Sequence, residues 1–281
     1  MKLLLVVAAY SIGITAALAQ PQSQIDRTTS PGRIDEIDIR LAKGIQDNSF
    51  LIEEAYNQET GVIQGITTLR RQGRDRYLAF TNEFPLWSQT HQISYILPYS
   101  ILKNEGQKAR GIGDILLNYR YQALFEDIAT PAFAPRFSIV LPTGNFMKKT
   151  GSESLGFQIN LPFSKVVADR VTLHANAGAT TLFNVMGRSP TSFNIGGSAI
   201  YAVTRDFNVL FETVAERIET VNATRGIDRE YALTVSPGVR YAVNLPSAQI
   251  VLGVGAPISL SRDRRPSYGA VLYLSLEPKI F

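Results

Sequence analysis

The chemistry open to this 281-residue chain is narrow, because it holds two histidines, His91 and His174, and no cysteine. Without thiols there is neither a disulfide framework nor a thiolate metal site. Neither histidine stands beside a recognisable nucleophile motif, and no spacing of His, Asp or Glu reads as a metal site, so no cofactor is expected. What remains is charge in an unusual place. Glu83, Asp114, Arg120, Arg136, Arg170, His174, Glu212, Glu216, Glu230 and Arg240 all lie in stretches that otherwise alternate between apolar and small polar residues. Charged groups facing one another across an enclosed space either pair or set up a field that acts on whatever passes between them.

The element that must position them is legible at residues 154–164. Leu155, Phe157, Ile159, Leu161 and Phe163 fall at every second position, with Ser154, Gly156, Gln158, Asn160 and Ser164 in most of the other register. This is the two-residue period of a strand. The polar register is too small to pack a core and too uncharged for an ordinary wet surface. One oily face and one small polar face suit a wall between lipid and a watery lumen. The pattern predicts twelve strands, at 62–70, 76–86, 90–101, 111–124, 132–142, 154–164, 169–183, 191–203, 206–218, 229–243, 247–260 and 267–277. Ten tilted residues rise about 23 Å, close to the apolar height of an outer membrane. Backbone in hydrocarbon must be fully paired, so strands that cross a membrane must close on themselves. The predicted fold is all-β, a transmembrane antiparallel up-and-down β-barrel of about 12 strands with a short N-terminal helix at its base or in its lumen.

The start of the chain fits export. Residues 1–19 read as a secretory signal peptide, with Lys2, an apolar run and Ala17-Leu18-Ala19 as cleavage site. Residues 20–60 read as a polar leader carrying a short helix within 47–59, with Glu53 and Glu54 on it, and residues 61–281 as the barrel. The formal charge of +4 is too modest to point to nucleic acid. Five prolines, Pro98, Pro135, Pro162, Pro237 and Pro257, fall inside predicted strands, where each leaves a gap in the ladder.

Several runs resemble one family. Ile52-Glu-Glu-Ala-Tyr-Asn-Gln58, Phe80-Thr-Asn-Glu-Phe-Pro-Leu86, His91-Gln-Ile-Ser-Tyr-Ile-Leu-Pro-Tyr99, Gly113-Asp-Ile-Leu-Leu-Asn-Tyr-Arg-Tyr121 and Pro135-Arg-Phe-Ser-Ile-Val-Leu-Pro-Thr-Gly144 are similar to an outer-membrane transporter family labelled for the meta-pathway of phenol degradation. The resemblance covers most of the mature chain and implies an outer-membrane barrel. Its label names a pathway and no solute. The chain ends in Phe281, as many such barrels do, which implies the barrel assembly machinery as a partner during biogenesis; the approach Glu277-Pro278-Lys279 departs from the usual pattern.

Carried through each strand, the alternation puts the charged set on the lumen face and His91 on the lipid face. Arg120 and Arg136 lie on neighbouring strands around a turn near 128, so they stand close together and need partners. Glu212 and Glu216 lie nearly opposite. The gating candidates are therefore Arg120, Arg136, Glu212, Glu216, Asp114 and His174 on the wall, with Glu53 and Glu54 reaching the arginines from the leading segment. Ion pairs that merely fill the lumen are the alternative. The longer connections, near 102–110, 143–153, 219–228 and 261–266, are expected at the exterior, where a basic rim would meet outer-membrane lipid and lipopolysaccharide phosphates. The expected role is a bacterial outer-membrane channel or passive transporter for a small, apolar or anionic solute. Its rivals are a structural or adhesive barrel without transport and a membrane-embedded hydrolase.

Overall fold

The computed structural model describes residues 40–104, 107–262 and 264–280. The expected signal peptide and most of the leader lie outside the described residues. Alternation produces fifteen strand segments: β1 (Gln64–Gln72), β2 (Asp75–Leu86), β3 (His91–Asn104), β4 (Gln107–Ile112), β5 (Ile115–Tyr121), β6 (Ala132–Phe133), β7 (Arg136–Leu141), β8 (Gly156–Ala168), β9 (Val171–Leu182), β10 (Thr191–Ala202), β11 (Phe207–Val221), β12 (Ile227–Leu245), β13 (Ala248–Gly255), β14 (Ile258–Ser261) and β15 (Arg264–Pro278). Three pairs, β4 with β5, β6 with β7 and β13 with β14, are single staves with an interruption. The segments thus form twelve antiparallel staves in sequence order. The last closes on the first, from Gly65 opposite Leu276 to Gln72 opposite Gly269. Closure leaves the sheet without a free edge, as a strand-built membrane span requires.

Proline chemistry accounts for the interruptions. The gap at 113–114 faces Pro98, whose carbonyl accepts the Gly113 N–H at 2.7 Å. The gap at 134–135 contains Pro135 and faces Pro162, which accepts from Ala134 at 3.2 Å. The gap at 256–257 contains Pro257 and faces Pro237, which accepts from Ala256 at 2.9 Å. A residue with no N–H cannot complete a ladder rung, so the neighbouring stave breaks there and one bond bridges the break.

The two faces divide as the pattern predicts. Leu155, Phe157, Ile159 and Phe163 are exposed on the outside, while Asn160 and Ser164 are buried inside. His91 also faces outward, its Nδ1 2.7 Å from the Tyr119 hydroxyl. Connection lengths follow the expectation less well. β3 and β4 stay paired to Asn104 opposite Gln107, and β14 and β15 to Ser261 opposite Arg264, so the long loops expected near 102–110 and 261–266 are tight hairpins. Arg170 lies in the turn before β9, where its guanidinium donates to the Val203 carbonyl at 2.9 Å, and not on the lumen face.

The helix expected within 47–59 does not form. The helical turn in this region is a single 3-10 turn at Leu41–Lys43, and residues 45–59 run as an irregular strand-free segment inside the barrel. Its placement in the lumen agrees with the expectation. Its conformation differs because side chains of the wall take the backbone groups that a helix would pair internally.

Candidate functional site

The segment enters the lumen from the end where the described termini lie, reaches an apex near residues 50–53 and returns to β1. Its entering limb hangs on Arg240, whose guanidinium donates to the carbonyls of Ile45, Asp47 and Asn48 at 3.2, 2.8 and 2.9 Å. At the apex one carboxylate oxygen of Glu212 accepts the N–H groups of Leu51 and Ile52 at 2.7 and 3.2 Å. Asn176 both accepts from Glu53 N–H and donates to its carbonyl, at 2.8 and 2.9 Å. The returning limb meets Ser164 at Ala55 N–H (2.7 Å), Gln122 at Asn57 N–H (2.9 Å) and Gln92 at Gln58 N–H (2.8 Å). Asn48 closes the excursion by accepting from Glu54 N–H at 3.0 Å. The small amide and hydroxyl groups of the polar register are therefore a surface that binds extended backbone.

The charged candidates divide between holding this segment and other work. Arg120 and Arg136 are register partners on β5 and β7. Arg136 grips Glu53 with two bonds, Nη2 to Oε1 at 2.6 Å and Nε to Oε2 at 3.0 Å, and spends its other donors on Asn118, Ser138 and Gln158. Arg120 donates to the Tyr56 carbonyl at 2.7 Å, the Asn57 side chain at 2.7 Å and the Glu54 carbonyl at 3.2 Å, and pairs with Glu83 at 3.4 Å. Both cations are thus matched by carboxylates, and every N–H of Arg136 has an acceptor. Glu54 is buried, with one carboxylate oxygen unpartnered. Glu216 lies farther up β11 and shares an attractive field with Arg70 of β1. Asp114 sits at the 113–114 break, accepts from Gly144 N–H, Ser152 N–H and Ser152 Oγ at 3.0, 2.6 and 2.7 Å, and so fastens the connection between β7 and β8.

His174 meets a serine after all, its Nδ1 2.6 Å from Ser164 Oγ. The same hydroxyl accepts Ala55 N–H, Ser164 is 1% exposed, and among the described residues no carboxylate bonds the imidazole. A nucleophile without access or an oriented base is a structural contact.

Two cavities flank the segment. One of about 150 Å³ lies above it, with Phe50, Ile66, Ile96, Arg120, Arg136 and Tyr273 in its lining. The other, about 240 Å³, opens at the end of the termini, with Lys43, Glu54, Tyr56, Gln249 and Glu277 around it.

A family model described as "Putative MetA-pathway of phenol degradation" matches residues 54–274, most of the chain. The chain belongs to that family. The match takes in the returning limb as well as almost the whole barrel. No curated protein matches the sequence. Among solved structures, an outer membrane channel from Pseudomonas putida F1 is 12% identical with a TM-score of 0.61, the match covering 80% of this chain and 97% of that one. The KdgM porin, also 12% identical, has a TM-score of 0.49, with 78% and 99% covered. At 12% identity the likeness to the Pseudomonas putida channel is one of fold.

Several residues that hold the segment carry no signal of their own in the sequence. Gln92, Gln122, Asn176 and Ser164 read simply as polar-register positions, and only their shared smallness and amide character marks them.

Proposed function

We propose that this chain is a passive outer-membrane channel for small molecules whose lumen is closed by its own residues 45–59. The end bearing the termini is periplasmic, as for an exported chain whose leader remains on that side. The basic far end, with Arg74, Lys103, Lys148 and Arg225, then faces lipopolysaccharide phosphates. One observation carries the reading: backbone in mid-lumen is bound group by group to the wall, so the route divides into two cavities with the segment between them. Twelve staves lie between barrels filled by side chains and wide aqueous pores, which leaves room for such a segment and for one small solute.

The matched arginines favour uncharged or apolar solutes over anions, since Arg120 and Arg136 already face the carboxylates of Glu83 and Glu53. The shared fold with an outer membrane channel supports the channel reading itself. Arg120, Arg136, Glu212 and Glu53 hold the closed state in this reading. Planar-bilayer recording tests it: Arg136→Ala, which strands Glu53, should raise mean conductance at least about threefold by loosening a shielded ion pair. Unchanged conductance and ion selectivity in both Arg120→Ala and Arg136→Ala would contradict it.

A further inference from the structure

The ring of Phe50 lies against bare backbone. A Cβ built on Gly253 would stand 2.5 Å from its Cε1, one on Gly238 2.5 Å from its Cε2, and one on Gly255 2.8 Å from its Cδ2. No side chain tolerates such approaches, so three glycines on the paired strands β12 and β13 leave a socket the size of one six-membered ring. Tyr273 stands beside it, ring centres 5.5 Å apart and tilted by 41°. Ile66, Val251 and Val271 complete an apolar cluster around it.

One polar atom at the socket, and a second in register with it on the neighbouring strand, have no partner. Ser236 Oγ is fully buried, has no hydrogen-bond partner and lies 3.3 Å from the Gly255 Cβ position that the Phe50 ring crowds. Glu212, its register partner on β11, spends Oε1 on Leu51 and Ile52 and leaves Oε2 buried and unpartnered. A phenyl ring satisfies neither atom, and a buried unpaired polar group is costly.

We propose that this socket is a binding site for an uncharged monocyclic aromatic molecule bearing a hydroxyl group, and that Phe50 occupies it as an internal competitor. This rests on reading residues 45–59 as the closing element. A solute ring replaces the Phe50 ring against the same glycines, so apolar burial is nearly conserved. The difference is the hydroxyl, which bonds Ser236 Oγ and donates to Glu212 Oε2. Glu212 also holds the apex, so the solute competes at the group that keeps the segment in place. The cavity of about 150 Å³ beside Phe50 and Tyr273 is a waiting place of the size that accepts one benzene ring.

The test uses the full chain in lipid nanodiscs, with phenol and toluene as probes followed by saturation-transfer NMR, and heat-modifiable gel migration as the check on folding. Phe50→Ala should bind phenol at least about tenfold more tightly than the natural chain, because no internal ring has to leave first. Adding Gly253→Ala in the Phe50→Ala background should abolish that gain, since its methyl fills a socket that the ring no longer contests. Adding Ser236→Ala in the same background should remove the preference for phenol over toluene. Equal phenol affinity in the natural chain and Phe50→Ala, or tight binding retained in Phe50→Ala/Gly253→Ala, would overturn the site. Raised conductance in Phe50→Ala without tighter phenol binding would also overturn it while leaving the closing segment intact. Tighter binding without raised conductance would support the ring site and count against closure by residues 45–59.

Discussion

Glu126 shows how much one side chain can tie together. Its carboxylate takes Lys43 Nζ at 2.6 Å, the Tyr56 hydroxyl at 2.9 Å and Val166 N–H at 2.7 Å, joining the approach to the entering limb, the returning limb and β8. Burial pushes its pKa up, but the hydrogen bonds from Lys43 and Val166, the charge of Lys43 and the Tyr56 hydroxyl outweigh it and hold the group below the ordinary glutamate value of 4.5. A folded pKa below the unfolded one means stability that is present above the unfolded value and lost as pH falls through the folded one. Amide exchange at residues 42–58 should therefore accelerate as pH is lowered below about 4.5, and Glu126→Gln should flatten that dependence. Exchange that stays pH-independent after correction for intrinsic rates would deny Glu126 this role. The pairing of Arg120 with Arg136 was legible from alternation and strand order alone. Glu126 was not, because an acid in a connection outside the strands carries no periodicity, and its partners lie 83 and 70 residues away.

At the scale of elements, the alternation foretold all twelve staves because each has to present one face to lipid and one to the lumen. It failed at the far hairpins. Lys103 and Lys108 near the tip of the β3–β4 hairpin and Arg265 at the start of β15 are exposed, so these strands run on past the oily stripe that marks a strand. It failed again at 47–59, where the local pattern suits a helix and the lumen wall overrides it by supplying partners for the backbone. Gln122 is the strongest single case, accepting from Asn57 N–H and donating to the Ala55 and Leu124 carbonyls at 2.7 and 2.8 Å. Gln122→Leu keeps the volume and removes all three bonds. It should loosen the returning limb by about 2 kcal/mol, read as faster exchange over 54–58 with the barrel amides unchanged.

For the whole molecule, closure and polarity do the same work. The oily residues outside and the amides inside form a barrel inverted relative to a soluble protein, with Arg120 and Arg136 paired to Glu83 and Glu53 in the lumen. Ile195, midway along β10 and 63% exposed, faces lipid in this account. Ile195→Arg should cost about 2–4 kcal/mol of folding stability in liposomes by urea titration, whereas a soluble surface position would tolerate it. Transport then depends on whether the inner segment moves. Ser49 of the inner segment touches Ser198 of the β10 wall, their hydroxyls 2.7 Å apart, and the chain has no cysteine to interfere. The decisive measurement is solute flux into liposomes through Ser49→Cys/Ser198→Cys, oxidised and then reduced. Flux suppressed by the disulfide and restored by reductant is the predicted result; equal flux in both states, with the cross-link verified, would contradict closure by residues 45–59.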